Sequence, residues 1–552
     1  MRRTRPALIL AVLGVAAAML APAASGATAK PGFFTVKLDK AAGGTEPRAS
    51  VDPAGKRWVV TNSKSGGDAV VYGSTNGKTW TQTTGTLGNQ LSATIDTDIV
   101  TTRTGRIIAS ELDFTGIRFI TGFSDDGGKT WTASTGMPPA DSDRQWLAVG
   151  PDDATTHLPR VYLLWHNLLS GTGNHNMWVQ TSTDNGATFG APVPTTLPGD
   201  EAYGDLQCAD SGGPSGIAVD QKTGRIYVAF GTRSGPAVGG CTASVVGPFE
   251  INVVSATRVW VASSPDNAAG SWKQSLAVDR STQHQEKEQI VGMELSPLAV
   301  DLAGNVIVAF PESKSVDDFT AAAKYVWSPP GATSWSKPRT IAPLKDAGNI
   351  LIHPVGGDAG RWGFAYMHGF NRGGGKPQWY SEYAVTTDGM SSDPHFQTVQ
   401  LSNVPTYAGT AAVLMAQCGS GPAKGVENGF NCSRSADVYG IAMDLKGGAV
   451  VVWPGVSSAG DGSDGGGTYV ASQLSGVSLL KKYGGSTVPG SSGSSGGLPG
   501  SGSGSGTGSS GSGSGSGGSG LPTTGAPALL GLLALGLLAS AAVLRRRTRT
   551  TR

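Results

Sequence analysis

Arg144 and Trp146, in the segment Asp143-Arg144-Gln145-Trp146, are two side chains that together suit the recognition of a sugar. The guanidinium of arginine is a planar fork of donors that can hold a carboxylate through two hydrogen bonds. The indole of tryptophan adds a broad apolar face with one polar edge. We therefore predict Arg144 and Trp146 as substrate-binding residues, with a buried strand anchor as the alternative interpretation of Trp146.

Metal-binding chemistry has less support in this sequence. The run Asp461-Gly462-Ser463-Asp464-Gly465-Gly466 could hold Ca²⁺ through its carboxylates. It lacks the glutamate and the spacing of an EF-hand loop, which favours a flexible loop instead. His175, His284 and His353 show no spacing typical of metal ligands. We therefore predict no metal site and no cofactor, with Ca²⁺ as the one alternative.

The elements that must position these residues are indicated by the stretch Ser124 to Trp131. Its Asp126-Gly127-Gly128 is turn chemistry, because glycine reaches positive φ freely and aspartate can bond its own backbone two residues on. Apolar β-formers precede the turn and Trp131 closes it, which predicts a hairpin pinned by Asp126. Similar segments recur about 50 to 80 residues apart, which indicates an array of repeated units; they begin at Ser74, Ser182, Ser264 and Ser328.

The pattern Ser-x-Asp-x-Gly-x-Thr-aromatic, complete at Ser124 and Ser182, resembles the Asp box, or BNR repeat, of sialidases and related β-propellers. The resemblance implies an all-β fold over residues 33–482, a β-propeller of six or seven four-stranded blades. Six blades are usual in sialidases, whereas we count seven units here. The segment Phe33–Leu38 is expected to pair with the last blade and close the ring. The seven units start near Glu46, Asp96, Asp143, Gly212, Met293, Asn349 and Ser435.

Resemblance to the sialidases also implies a set of active-site residues. That family holds the substrate carboxylate with three arginines and uses a tyrosine nucleophile, a glutamate base and an acid/base aspartate. Arg48 resembles the first arginine, although Ile-Pro does not follow it. Asp68, six residues before Ser74, resembles the acid/base aspartate, with a solvated turn acid as the alternative. Glu288 and Tyr380 resemble the base and the nucleophile; the alternatives are a polar loop residue and part of an alternating aromatic strand.

Two of the three family arginines have no clear counterpart in this chain. The runs Val60–Lys64 and Val308–Ser313, where the resemblance places them, contain no arginine. Arg361 or Arg372 could supply a late arginine, without a matching flank. The carboxylate clamp is therefore incomplete, which leaves open a different substrate or binding without cleavage.

The two ends of the chain resemble targeting segments. Residues 1–27 combine a basic start with an apolar run too short to span a membrane, which predicts a secretory signal; a membrane anchor is the alternative. Residues 484–520 are almost entirely Gly and Ser, which predicts a disordered linker. Residues 521–552 resemble a sortase sorting signal, Leu-Pro-Thr-Thr-Gly followed by a hydrophobic helix and a basic tail. This implies sortase cleavage between Thr524 and Gly525 and attachment of Thr524 to peptidoglycan, with a plain membrane anchor as the alternative.

Removal of the two ends changes the charge of the protein. The whole chain carries 42 basic and 40 acidic residues. The leader holds three arginines and the tail five, so the mature chain keeps 34 basic residues against 40 acidic ones and is net acidic. A nucleic-acid partner is therefore disfavoured. An even number of cysteines in a secreted chain favours disulfides, of which the sequence-local pairing joins neighbours; the four are Cys208, Cys241, Cys418 and Cys432.

Two functions remain open on these observations. In the first, the protein is a wall-anchored, sialidase-like glycoside hydrolase that uses Asp68, Glu288 and Tyr380 in catalysis and Arg48 on the substrate carboxylate. In the second, it is a non-catalytic propeller that binds host or environmental glycans or proteins. In either case an extracellular glycan or glycoprotein is the expected ligand. Convergence of these residues on one central pocket would favour the hydrolase.

Overall fold

Seven antiparallel sheets follow one another along the chain and form a ring, a seven-bladed β-propeller. All the described residues lie in the first of two units into which the chain divides, Met1–Ser492, and the second unit is Gly493–Arg552. The computed structural model describes residues 29–39, 42–43, 46–63, 69–85, 87, 96–113, 118–138, 142–167, 175–207, 214–232, 256–265, 271–281, 289–290, 298–315, 318–371, 376–408, 440–455 and 467–483.

Each blade has four strand positions, and six of the blades take their strands in chain order. In blade 5 the first position is shared by two short strands, and blade 6 carries an extra two-residue strand. The strands are β1 Gly32–Lys37; in blade 1, β2 Arg48–Val51, β3 Arg57–Thr61, β4 Val70–Ser74 and β5 Thr81–Gln82; in blade 2, β6 Thr97–Thr101, β7 Ile107–Asp113, β8 Arg118–Ser124 and β9 Thr132–Ala133; in blade 3, β10 Ser142–Asp152, β11 Pro159–Asn167, β12 Met177–Ser182 and β13 Val193–Pro194; in blade 4, β14 Pro214–Val219, β15 Ile226–Thr232, β16 Arg258–Ser264 and β17 Lys273–Asp279; in blade 5, β18 Gln289–Ile290, β19 Leu298–Val300, β20 Val306–Ser315, β21 Asp318–Ser328 and β22 Arg339–Ala342; in blade 6, β23 Gly348–Gly356, β24 Trp362–Phe370, β25 Gln378–Thr386, β26 Gln397–Gln400 and β27 Tyr407–Ala408; and in blade 7, β28 Gly440–Met443, β29 Ala449–Gly455 and β30 Gly467–Ser475.

The first strand of each blade lines the axis of the ring. These strands contact one another in the order β2, β6, β10, β14, β19, β23, β28 and back to β2. The blades begin close to the seven predicted unit starts, and this confirms the count of seven over the six that is usual in sialidases. The ring therefore surrounds a central channel whose wall is built from seven first strands.

The N-terminal strand β1 closes the ring. It pairs antiparallel with β30, the third strand of blade 7, and so supplies the outermost strand of that blade. Phe33 packs edge-on against Tyr383 of blade 6, with ring centroids 5.2 Å apart. The predicted pairing of this strand with the last blade is confirmed, and the pairing covers an edge of β30 that would otherwise be open.

Hydrophobic side chains hold neighbouring blades together. The described residues contain seven buried apolar clusters, and each one lies between two blades that are adjacent in the ring. The second strands supply much of this core, because both of their faces are covered; Val161, Tyr162, Leu163 and Leu164 of β11 are all buried. Apolar runs of the sequence, such as Val161–Trp165, form these second strands.

The turn between β8 and β9 has the geometry that its sequence predicts. Asp126 Oδ1 accepts hydrogen bonds from the backbone N–H groups of Lys129 (2.9 Å) and Thr130 (3.0 Å). Ser124 Oγ accepts one from Gly128 N–H at 2.8 Å, and Gly127 and Gly128 both have positive φ. These bonds hold the pKa of Asp126 well below its usual range. Trp131 packs in the cluster between blades 1 and 2, so the turn fastens blade 2 to its neighbour.

Within the described residues, one short helix departs from the all-β fold that the sequence predicts. It is α1, Glu201–Leu206, between blades 3 and 4, and it is followed at the end of the ring by a 3-10 turn, Lys481–Tyr483. Leu206 is buried in the cluster between blades 3 and 4. Six residues are too few for a helical period to show in a sequence. None of the helices in the described part of the chain has the length and apolar character needed to cross a membrane.

Several predicted residues lie outside the described part of the chain. They include the proposed catalytic residues Asp68 and Glu288 and the sorting residues Thr524 and Gly525. The disulfide prediction and the alternative Ca²⁺ loop at 461–466 also fall outside it, since all four cysteines, Cys208, Cys241, Cys418 and Cys432, do.

Candidate functional site

Charged side chains gather where the first strands of blades 1, 2 and 3 begin. We call this group the rim cluster, and its members are Glu46, Arg48, Asp96, Asp98, Asp143 and Arg144. Each pair stands at the start of one blade, so the ring itself brings the three pairs together. Asp126 and its turn lie at the end of a third strand, and third strands run parallel to first strands. The rim cluster and the Asp126 turn therefore lie at opposite ends of the blades.

Asp98 joins the first three blades through its carboxylate. Oδ1 accepts hydrogen bonds from Arg48 Nε of β2 at 3.2 Å and from the backbone of Ile99 at 2.8 Å, and Oδ2 accepts one from the backbone N–H of Leu147 of β10 at 2.6 Å. Burial raises the pKa of Asp98, and the nearby Arg48 charge opposes that rise. The Arg48 guanidinium also lies over the ring of Trp146, 4.6 Å from its centroid.

Arg144 and Glu46 form an ion pair between two blades that are not adjacent in the ring. Arg144 Nη1 lies 3.0 Å from Glu46 Oε1 and 3.9 Å from Asp96 Oδ1. Because Arg144 belongs to blade 3 and Glu46 precedes blade 1, the pair joins the starts of blades 1 and 3 beside the start of blade 2. Both residues have positive φ, 59° for Arg144 and 39° for Glu46. Such a backbone costs about 1–3 kcal/mol for a residue with a side chain and tends to occur at functional sites.

The charge of Arg48 also acts on a residue of blade 6, two blades away around the ring. His353 lies on β23 of blade 6 and is fully buried. Burial lowers the pKa of His353 well below its usual value, and the positive charge of Arg48 lowers it further. The rim cluster is thus close to the channel axis, and His353 is neutral beside it.

A chain of polar groups runs from the rim cluster into blade 3. Asp143 Oδ2 lies 3.9 Å from Nε2 of His166, Nδ1 of His166 lies 3.1 Å from Nε2 of His175, and Nδ1 of His175 lies 3.0 Å from the carbonyl oxygen of Leu206. Burial, with a smaller contribution from His166, lowers the pKa of His175 to about 3. Burial raises the pKa of Asp143, but its interactions with His166 and Arg144 outweigh this and lower the pKa to about 2.

Carboxylates outnumber cations in the rim cluster, with four acidic side chains and two arginines. The side chains of Arg48, Asp143 and Arg144 remain between 14% and 18% exposed. The mouth of the channel therefore presents fixed donors and acceptors with an excess of acceptors. Among the described residues, no group of three or more His, Cys, Asp or Glu side chains is arranged to hold a metal ion.

The structure brings together three of the predicted site residues. Arg48 lies on Trp146, and Arg144 is two residues from that tryptophan in the same rim. Trp146 is 2% exposed and packs in the cluster between blades 3 and 4, as the anchor interpretation has it. One face of its ring is covered by the Arg48 guanidinium.

Tyr380 and Arg361 are placed elsewhere in blade 6. Tyr380 lies on β25, is 3% exposed, and donates its hydroxyl to Gln378 Oε1 at 2.9 Å. Arg361 lies in the turn between β23 and β24 and donates to the carbonyl of Ser478, at the end of the blade opposite the rim. Arg361 therefore cannot supply the late arginine of a carboxylate clamp at the rim, and the other candidate, Arg372, lies outside the described residues.

The acidic residues of the rim cluster were not predicted as site residues from the sequence, and neither was His166. One signal was present: three consecutive units begin with an acidic residue, namely Glu46, Asp96 and Asp143. In a ring of repeats, residues at equivalent starts converge on the axis, so recurring acids there predict an acidic channel mouth. The pairing of His166 with His175 had no comparable signal, because nine residues and a strand reversal separate them.

No protein-family model matches this chain, and no curated protein matches it. Similar solved structures include an ulvan lyase of polysaccharide lyase family PL25, with 12% identity over 76% of this chain and 93% of that one and a TM-score of 0.46. A protein of unknown function from Dyadobacter fermentans has 13% identity over 80% and 98%, with a TM-score of 0.41. The NanB sialidase of Streptococcus pneumoniae has 11% identity over 80% and 70%, with a TM-score of 0.37. These likenesses are too distant to bring any of those activities to this chain.

Proposed function

We propose that this propeller binds an extracellular glycan at the mouth of its channel, and that the rim cluster contacts an uncharged part of that glycan. The observation that carries the proposal is the Arg144–Glu46 pair, which joins the starts of blades 1 and 3 and is formed by two residues with positive φ. Strained backbone that orders a partly exposed charged pair is expensive to keep without a ligand to bind. The resemblance of the repeated turns to those of sialidase-like propellers supports a glycan as that ligand.

The charges of the rim cluster favour an uncharged part of a glycan as the ligand, and they disfavour a sialic acid. Arg48 already pairs with Asp98, and Arg144 pairs with Glu46. A substrate carboxylate would have to displace one of these acids and would face the remaining ones, and like charges at close range disfavour each other. Sugar hydroxyls both donate and accept, and therefore match a surface of alternating guanidinium and carboxylate groups.

Binding without sialidase-type hydrolysis fits the described residues better. The hydroxyl of Tyr380 is engaged within its own strand by Gln378, and the ring is buried. A nucleophile needs access to the reacting carbon of the substrate. Asp68 and Glu288 remain predictions for an acid/base aspartate and a base in the alternative function, a glycoside hydrolase of exo-α-sialidase type.

We also propose that the propeller is displayed on the cell wall. Support comes from the order of segments in the sequence: a secretory leader, a Gly/Ser-rich stretch at 484–520, and Leu-Pro-Thr-Thr-Gly before an apolar run and arginines. Sortase would cut between Thr524 and Gly525 and join Thr524 to peptidoglycan. The change Thr524→Ala should move the protein out of the wall fraction, whereas Thr523→Ala, at the variable position of the motif, should leave it there. Equal wall attachment of the two variants would overturn this proposal.

The binding proposal is tested with protein that ends at Ser492, because every strand of the ring lies before that residue. The probe is an array of neutral gluco-, galacto-, manno-, xylo- and arabino-oligosaccharides with sialylated counterparts. We expect binding to neutral glycans and no release of fluorophore from a fluorogenic sialoside. Arg144→Met should weaken binding about tenfold or more, since hydrogen bonds to charged groups are among the strongest.

A matched control is Arg103→Met, which removes an exposed arginine that also pairs with an acid, Asp152. This variant should bind like wild type. Absence of glycan binding, or tighter binding of a sialylated glycan than of its desialylated form, would overturn the proposal. Urea unfolding of each variant, followed by tryptophan fluorescence, separates lost binding from lost folding.

A further inference from the structure

A pocket of about 530 Å³ lies beside the turns that follow β4 and β8, the third strands of blades 1 and 2. Blade 1 supplies most of its lining, and Gly127 and Lys129 come from blade 2. Because third strands run parallel to first strands, the pocket lies at the end of the blades opposite the rim cluster. Its volume falls within the range of small-molecule sites, roughly 300–1,000 Å³, so it has room for a sugar residue.

The lining of this pocket is polar and positively charged. Among the described residues it contains two lysines, Lys56 and Lys129, and no acid. Most of the remaining side chains are hydroxyls and amides, such as Thr75, Thr81 and Gln82. Ammonium groups only donate hydrogen bonds, whereas hydroxyl and amide groups both donate and accept. The lining therefore favours a ligand that carries a negative charge together with hydroxyl groups.

Lys56 is held in position by its neighbours. Its Nζ lies 3.8 Å from the ring centroid of Trp58, whose Nε1 donates to Asp52 Oδ2 at 3.0 Å. A Cβ at Gly73 would come within 2.6 Å of Lys56 Cε, so the glycine leaves the space in which the lysine lies. Burial lowers the pKa of Lys56, Asp52 opposes this change, and the charge of Lys129 adds to it. An anion between the two lysines would offset their repulsion.

Blade 2 shows how a cation at the equivalent position is paired. Arg106 directly precedes β7, as Lys56 directly precedes β3. The Arg106 guanidinium donates to both carboxylate oxygens of Asp125, at 2.7 Å each, and Asp125 directly follows the serine that opens the turn. In blade 1 the residue after that serine is Thr75, and no acid in the described part of the chain forms an ion pair with Lys56. The carboxylate that pairs the cation in blade 2 is therefore missing from blade 1.

The second acid of the turn is also replaced by a neutral residue in blade 1. Asn76 stands where blade 2 has Asp126. Oδ1 of Asn76 accepts hydrogen bonds from the backbone N–H groups of Lys78 and Thr79, both at 2.8 Å, so the turn keeps its geometry without a carboxylate. Both acids of the turn in blade 2 are thus neutral residues in blade 1, and the charge of the pocket remains positive.

We propose that this pocket is a second ligand site, and that it binds an oxyanion of an acidic polysaccharide, either a uronic acid carboxylate or a sulfate ester. The oxyanion pairs with the ammonium groups of Lys56 and Lys129, and so replaces the carboxylate that blade 2 supplies from its own chain. Hydroxyls of the same sugar contact the polar side chains of the lining. The site shares no residue with the rim cluster and lies at the other end of the blades, so the inference goes beyond the proposed function.

The central test is Thr75→Asp, which gives blade 1 the acid that blade 2 already has. The new carboxylate pairs with Lys56 in place of the ligand, so binding of an acidic oligosaccharide should weaken about tenfold or more. The matched control is Thr75→Asn, which has similar size and no charge and should bind like wild type. Lys56→Met should also weaken binding about tenfold or more. Lys78→Met, which removes a lysine of the same turn outside the pocket lining, should not.

The probes are matched pairs, titrated into the protein used for the neutral panel. One pair is an oligogalacturonate and its methyl ester, and the other is a sulfated galacto-oligosaccharide and its desulfated form. We expect at least one acidic probe to bind more tightly than its uncharged partner, with an affinity that falls as salt is added. Inorganic sulfate and phosphate are titrated as well. Absence of binding by both acidic probes, including the case in which only the inorganic anions bind, would overturn the inference.

The outcomes distinguish this site from the rim cluster. Thr75→Asp should leave binding of the neutral panel unchanged. Acidic probes that bind Thr75→Asp as tightly as Thr75→Asn would overturn the inference and leave the proposed function standing, whereas binding of acidic probes without any neutral glycan would overturn the proposed function alone. Sialylated probes are also compared on Thr75→Asp, so that an anion in this pocket is not attributed to the rim. Urea unfolding of each variant separates lost binding from lost folding.

Discussion

Replacement of Asp98 by alanine is expected to destabilise the ring strongly. The carboxylate is 2% exposed and binds the guanidinium of Arg48 and the backbone of Leu147, so it connects three blades. Its removal leaves a buried N–H of Leu147 unsatisfied, which costs about 1–3 kcal/mol, and takes the counter-charge from Arg48. Breaking a buried ion pair costs about 3–5 kcal/mol, and we expect the lower end because Arg48 keeps 18% of its side chain exposed.

The assay is urea unfolding of protein ending at Ser492, followed by the fluorescence of its tryptophans. The matched control is Asp152→Ala, which removes the acid of an Arg–Asp pair whose side chains are 56% and 38% exposed. Exposed pairs contribute about 0–1 kcal/mol, so this variant should unfold close to wild type. A loss for Asp98→Ala no larger than that for Asp152→Ala would refute the reasoning.

The reverse change, Arg48→Met, gives a second signature of the same pair. Burial already raises the pKa of Asp98 in the folded protein, and removal of the Arg48 charge raises it further. A carboxyl with a raised folded pKa loses stability as pH increases through that pKa, so lower pH should favour the variant. The stability deficit of Arg48→Met relative to wild type should therefore shrink as pH falls from 7 to 5. A deficit that is constant with pH would contradict an ionised Asp98 in the pair.

Three further changes test other parts of the fold. Phe33→Ala should lower the unfolding free energy by about 2 kcal/mol or more, because Phe33 holds the closing strand against Tyr383; an unchanged urea midpoint would contradict that role. His175→Gln should reduce the loss of folding stability that the wild type shows as the pH is lowered. The pKa of His175 in the folded protein is about 3, below the ordinary value. The stability that His175 contributes is therefore full above about pH 6.5 and falls as the pH drops toward 3. Asp153→Asn should lower the melting temperature at pH 7, and the difference from wild type should disappear as the pH falls from about 4 to 2. The reason is that the backbone of Thr156 and Thr155 and the side chain of Arg160 lower the pKa of Asp153 to about 2. A difference in melting temperature that persists at pH 2 would contradict this prediction.

The fold was predictable because its signals are local. Turn residues such as Asp126 and Gly127, and apolar runs such as Val161–Trp165, mark single hairpins and single second strands. Repetition of these signals gave the number of blades, and an unassigned strand at Phe33 gave the closure of the ring. Each inference needed only a few consecutive residues and the period between copies.

The candidate site was less predictable because its contacts are long-range. Arg144 and Glu46 are 98 positions apart in the chain, and their pairing depends on the curvature of three blades. Arg144 and Trp146 were found from their residue types, but Trp146 faces the core, and the sequence does not show which face of an irregular strand is buried. Register shifts between Asp143 and Trp146 break the simple alternation that would have decided it.

The two ends of the blades differ in what they contribute to the molecule. At one end, turns such as Ser124–Trp131 satisfy their own backbone and place an aromatic ring between blades, which stabilises the ring. At the other end, four acids and two arginines are gathered in partial burial. Buried ion pairs contribute less to stability than apolar side chains of the same size.

A rim built for stability alone would therefore be apolar, like the seven clusters between the blades. The seven apolar clusters and the repeated turns make the ring stable enough to carry a costly group of charges at one place. The rim cluster lies at one end of the axis, where the starts of three blades converge and where three of its side chains still reach solvent. The repeated parts of the fold thus stabilise the ring, whereas the rim cluster lowers its stability. This pattern is expected of a binding site rather than of a structural contact.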